Sequence, residues 1–202
     1  MIFPITKTKY NILKIIYQEE EITISKLIKI TKADQLSAYT YIKELITAGI
    51  IQEQLIGRKP ILRILRPNLN SEEGILAFSL IEAEKNKDFF EKHKELKGAF
   101  TQFTNEIKEL SLIFGSFSKG AATKDSDIDI AIIGEHLNSK RIESIAEKCF
   151  VTLKNRASVR LFTKKDFVNQ LAKKDPFITQ IQGNHIILSN YTDWVILVGQ
   201  LV

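Results

Sequence analysis

Asp127 and Asp129 stand one residue apart in the stretch GSFSKGAATKDSDIDI, and Gly115-Ser116 precedes them across a spacer of ten residues. In a strand, side chains two apart point the same way, so the two carboxylates project together while Ile128 and Ile130 pack on the opposite face. Like charges placed in this way must share a proton, meet a cation or remain wet, and a hard divalent ion such as Mg²⁺ is a natural partner for their oxygens. Gly115 lets the backbone come close to a ligand. Ser116 adds a hydroxyl and an N–H at the expected start of a short helix, a favourable position for phosphate. A phosphate cradle beside a metal cradle suits a metal-bound triphosphate.

The elements that must position these groups alternate along the C-terminal half. SLIFGS reads as a short strand entering a turn, SDIDIAIIG as a second strand, and RIESIAEKCFVTL as a helix with Ile142, Ile145, Ala146, Cys149 and Phe150 inward. ASVRLFT is a third strand, and Thr163 with Asp166 resembles a capping box opening the helix KKDFVNQLAK. A further helix follows Asp175-Pro176, HIILS is strand-like, and YTDWVILVGQLV is a closing helix. Upstream, residues 72–110 are helical: Leu96, Phe100, Phe103, Ile107 and Leu110 step by four, three, four and three. That spacing fits a connector packed on the C-terminal domain or a dimer seam.

A hydrophobic strand, Gly-Ser, a spacer of this length and Asp-Ile-Asp-Ile together resemble the nucleotidyltransferases of the DNA polymerase β superfamily, in particular the minimal nucleotidyltransferases. The motif covers residues 110–165, and the order of elements extends it to 202. The resemblance implies that Gly115 and Ser116 hold the β- and γ-phosphates of a nucleoside triphosphate, and that Asp127 and Asp129 bind Mg²⁺ and act as the catalytic pair. Lys119 is a candidate for an extra phosphate contact, against the alternative of a solvated helix lysine. The family's third carboxylate belongs on the next core strand, which here is ASVRLFT with Arg160 and no acid. An arginine there would repel a second metal, and it is also open to binding phosphate or pairing with Asp127 or Asp129. Asp166 is better explained as a helix-start residue and Glu143 as a solvated helix acid.

The N-terminal third reads helix, helix, helix, hairpin. KTKYNILKIIYQ is the first helix, Thr23 caps ISKLIKIT, and Asp34 caps QLSAYTYIKELITA, which Gly49 ends. IIQEQLI and ILRILR are strands joined at the tip Gly57-Arg58-Lys59-Pro60. This stretch resembles a winged helix-turn-helix domain of prokaryotic transcription regulators. The resemblance implies that the third helix enters a major groove with Gln35, Ser37, Tyr39, Thr40 and Lys43, and that Arg58 and Lys59 meet backbone phosphate of double-stranded DNA. A protein-docking role is the alternative. PNLNS, residues 67–71, is the linker candidate. The expected fold class is α+β: a winged helix-turn-helix over 1–68, a helical connector over 69–109, and a nucleotidyltransferase-like mixed sheet with helices over 110–202.

Composition bounds the remaining possibilities. With 44% hydrophobic and 26% charged residues the chain is foldable, and no apolar run is long enough to span a bilayer. Pro4, Lys7 and Lys9 interrupt the start, which therefore lacks a signal-peptide core, and a cytoplasmic protein is expected. One cysteine excludes an internal disulfide framework and a multi-cysteine zinc site. The net charge of +5 permits an anionic partner without proving one. His93, His136 and His185 lack a second ligand at metal spacing, Ser116 lacks a His-Asp relay, and Trp194 and Tyr191 read as packing anchors. Three roles stand open: nucleotidyl transfer from a Mg²⁺-bound triphosphate to an acceptor the sequence does not reveal, nucleotide sensing without turnover by a dimeric DNA-binding regulator, and, implied by the family resemblance alone, an antitoxin-like role modifying or restraining a helical toxin.

Overall fold

Thr6 opens the first helix: its hydroxyl oxygen accepts the Lys9 amide, and α1, Lys7–Glu19, buries Ile12, Leu13 and Ile16 along one stripe. The computed structural model describes residues 6–58, 61–153 and 155–200, and the chain divides into two units, the first ending at Ile81 and the second beginning at Glu82.

In the first unit, β1, Ile22–Thr23, leads directly into α2, Ile24–Thr31, which Thr23 caps through the Lys26 amide. Asp34 caps α3, Gln35–Thr47, by accepting the Ser37 amide at 2.9 Å. Ala38, Ile42 and Leu45 are the buried face of α3, as their three- and four-residue spacing predicts. The strands β2, Ile51–Ile56, and β3, Leu62–Pro67, form an antiparallel hairpin closed at Ile56 opposite Leu62, and β1 pairs with the other edge of β3. The two-residue β1 is an addition to the expected order. Asn68 and Ser71, in the expected linker, both hydrogen-bond the Gly49 carbonyl, at 2.8 and 2.7 Å. The helix that follows, α4, Glu72–Lys92, contains the point where the units divide.

In the second unit α5, Lys94–Glu106, follows α4 after His93 alone and buries Leu96, Phe100 and Phe103; the helical stripe expected to reach Leu110 ends there, because Ile107 is extended and Leu110 belongs to a strand. A four-stranded mixed sheet comes next, in the order β6-β5-β4-β7. Its members are β4, Leu110–Phe114, β5, Ile128–Gly134, β6, Ala157–Thr163, and β7, Ile186–Ser189. β4 pairs antiparallel with β5 and β7, whereas β5 and β6 are parallel and need the crossover helix α7, Ser139–Phe150. Strand parity sorts the two faces. Ile113, Ile128, Ile130 and Ile132 join Phe100, Phe103, Ile142 and Phe150 in one core. Three helices follow the last two strands: α8, Lys164–Ala172, α9, Pro176–Gly183, and α10, Tyr191–Gly199. They contribute Phe167, Ile178, Ile181 and Trp194 as buried side chains. Cys149 is buried in the core with Phe100 and Phe150, and Asp166 joins the cap of α8 through Thr163, as the sequence predicts. No helix of the described residues is long and apolar enough to cross a membrane.

Candidate functional site

The short helix α6, Gly115–Ser118, starts where β4 ends, and its first residue has φ +74°, a left-handed conformation suited to glycine. The neighbour across the sheet supplies a second reason for glycine: a Cβ built on Gly115 would overlap Oδ2 of Asp129. Phe114 and Asp129 are register partners on β4 and β5, which sets that close approach. Gly115 was expected to make room for a ligand; the group it admits within the protein is the Asp129 carboxylate. Ser116 is half-buried beside it, and Lys119 is exposed at the C-terminal end of α6.

β5 begins at Ile128, two residues later than the sequence pattern predicts, so Asp127 precedes the strand. The two aspartates are therefore not a buried pair: Asp127 is exposed and Asp129 half-buried, at the wet end of the strand. Burial raises the Asp129 pKa; Arg160 opposes that shift and the Asp127 charge adds to it. The loop before Asp127 is tied down by the Asn155 side chain, which the sequence reading did not single out, and by the Arg156 carbonyl. Asn155 donates to the Ser126 carbonyl at 2.8 Å and the Lys124 carbonyl at 3.2 Å, and the Ile128 amide donates to the Arg156 carbonyl at 2.7 Å. A recess beside Asp127 is lined by Lys124, Asp125, Asn155 and Arg156.

Arg160 lies on β6 opposite Ala131, two residues beyond Ser158, which lies opposite Asp129. No cluster of three or more His, Cys, Asp or Glu side chains placed to hold a metal ion occurs among the described residues. Asp127 and Asp129, the second seated against a glycine, are the carboxylates here that could hold a divalent cation, since Mg²⁺ is commonly held by one or two carboxylates with water or phosphate oxygens in its other positions. His185, one of the three histidines with no metal spacing, for which a surface or satisfied role is the default, is engaged within the fold: Nδ1 lies 2.8 Å from the Gln182 carbonyl and Nε2 lies 3.1 Å from Glu82 Oε1.

The residues suggested for duplex binding lie in the first unit. Gln35, Tyr39, Thr40 and Lys43 are exposed on α3, and Gln35, Tyr39 and Lys43 recur every four residues along one face. Ser37 is half-buried, and its amide is engaged by Asp34. The Thr40 hydroxyl donates to the Leu36 carbonyl at 2.9 Å. Arg58 is exposed at the hairpin tip, and Lys59 lies outside the described residues. Exposed Leu55, Ile56, Ile61 and Leu62 flank that tip, an apolar element that its cations do not announce.

A family model described as polymerase beta, nucleotidyltransferase matches residues 84–193, a span that includes Gly115, Ser116, Asp127, Asp129 and Arg160. Comparison with curated proteins and with solved structures gives no significant match.

Proposed function

We propose that this chain, which belongs to the polymerase beta nucleotidyltransferase family, moves a nucleoside monophosphate from a nucleoside triphosphate to an acceptor hydroxyl. Its first unit, in the same proposal, is a winged helix-turn-helix that binds duplex DNA. The observation that carries the transfer reading is the seating of Gly115 against the Asp129 carboxylate, with Asp127 at the wet end of β5. Mg²⁺ held there by Asp127 and Asp129 would neutralise charge on the phosphate oxygens. Gly115 and the Ser116 amide and hydroxyl hold the terminal phosphates, and the loop secured by Asn155 keeps Asp127 in reach of them. The acceptor oxygen forms a bond to the α-phosphorus, and the bond from that phosphorus to the β-bridging oxygen breaks. Pyrophosphate leaves with the electron pair, and the acceptor proton passes to solvent.

The duplex reading rests on the exposed row Gln35, Tyr39 and Lys43 on α3 and on Arg58 at the adjoining hairpin. Arg160 favours a second reading, in which the nucleotide is bound without turnover and its occupancy regulates DNA binding. With α-labelled triphosphate, Mg²⁺ and total RNA or protein as acceptor, the wild-type chain transfers label and Asp129→Asn reduces transfer at least about 100-fold, a loss typical of removing a principal charge-stabilising group. Equal labelling by the variant removes the aspartate pair from the mechanism. Calorimetric nucleotide binding with no labelling of either acceptor pool selects the second reading.

A further inference from the structure

Arg160 shares the face of the sheet that carries Asp129. The parallel register sets Ser158 opposite Asp129 and Arg160 opposite Ala131, so Ser158 and Arg160 have the parity of the aspartate. The guanidinium carbon lies 5.0 Å from the centroid of the Phe177 ring. That ring is itself placed, edge-on to Phe114 at 5.5 Å and tilted against Phe162 at 6.4 Å. Phe114 is the register partner of Asp129 and the residue before Gly115. One run of aromatic contacts thus connects the cation to the strand end where the carboxylate and the glycine meet. Arg160 is exposed, leaving its donors open to a ligand from solvent.

We infer that Arg160, propped on Phe177, is a polyphosphate ligand of this site and the fixed cation that restricts it to a single divalent ion. The inference rests on the reading of Asp127 and Asp129 as the metal-holding pair. A guanidinium offers a planar fork that grips two phosphate oxygens, and stacking on an aromatic ring keeps the fork oriented before the ligand arrives. Among the described residues no third His, Cys, Asp or Glu joins the pair in a metal-holding group, and a second divalent ion would sit beside a permanent positive charge. Arg160 supplies part of the neutralisation such an ion would otherwise provide.

The test counts metal ions and measures affinity, without turnover. The full chain is titrated with Mn²⁺ under saturating α,β-methylene nucleoside triphosphates, bound Mn²⁺ is counted by electron paramagnetic resonance, and calorimetry follows the analogues and inorganic tripolyphosphate. The wild type takes up one Mn²⁺ per chain. Arg160→Ala and Arg160→Gln weaken analogue and tripolyphosphate binding by on the order of tenfold or more, as expected for losing a charge-assisted contact, and Arg160→Asp admits a second Mn²⁺. Two ions on the wild type, or unchanged affinity in both neutral variants with circular dichroism intact, overturns the inference and leaves the aspartate site standing. Failure of the wild type to take up Mn²⁺ with any analogue overturns the aspartate site and this inference together.

Discussion

Glu82 shows what a single side chain does when it is fully enclosed. Its Oε1 lies 3.1 Å from His185 Nε2, and Lys85 Nζ lies 2.9 Å from Oε2. Burial pushes the carboxyl pKa up, but the electrostatic and hydrogen-bond interactions with His185 and Lys85 outweigh burial and bring it from its ordinary 4.5 down to about 2. A folded-state pKa below the unfolded one means that the native state favours the carboxylate. The stabilisation is therefore complete above about pH 4.5 and is lost as pH falls through about 2. Urea midpoints measured from neutrality to about pH 2 fall across that window in the wild type, and Glu82→Gln has a lower midpoint at neutrality and a flatter acid limb. Parallel acid limbs in the two proteins would exclude Glu82 as the titrating group. Asp129 contrasts with it: half-buried and beside a second carboxylate, its pKa is raised, the condition under which a bound cation is useful.

Among the elements, α9 links local sequence to the candidate site. Asp175 Oδ1 accepts the amides of Phe177 and Ile178 at 3.0 and 3.1 Å, and Pro176 occupies the first turn, where its missing N–H costs nothing. That cap fixes the helix start from which Phe177 meets Phe114 and Arg160. Asp175→Ala lowers unfolding stability by about 1 kcal/mol, measured by urea titration with the buried Trp194 as the fluorescence probe. A stability equal to that of the wild type would mean the cap bonds contribute nothing net. The parallel β5-β6 pair is the other element that matters, because the crossover through α7 brings Arg160 onto the face that carries Asp129.

At the scale of the molecule, the two units carry two kinds of surface. The first presents α3 and a hairpin tip bearing Arg58; the second presents the aspartates, Gly115 and Arg160. The net charge of +5 is modest, so the proposed duplex reading places its affinity in a few positioned cations rather than in a general field. Arg58→Ala is expected to weaken binding to a mixed-sequence duplex and to reduce the slope of log affinity against log salt by about 1. Fluorescence anisotropy at a series of salt concentrations measures both, and an unchanged slope removes Arg58 from the phosphate contacts. If Leu55→Ser or Ile61→Ser instead abolished a protein association while leaving DNA binding intact, the exposed apolar tip would be a docking surface.

By itself the sequence determined the features set by neighbours a few residues away. Threonine and aspartate caps, the three-four stripes of α3, α5 and α7, the turn residues, and Gly-Ser followed by two aspartates on alternate positions all act through backbone geometry over one or two turns. Strand ends were less legible: Asp127 falls just outside β5 because the ladder with β4 and β6 decides where a strand starts. Only the tertiary structure decided that Glu82 meets His185 across 103 residues, that Gly115 makes room for Asp129, and that Phe177 supports Arg160. These pairings depend on strand register and on which helices cover which face, and no periodicity along the chain encodes a contact between side chains brought together by separate elements.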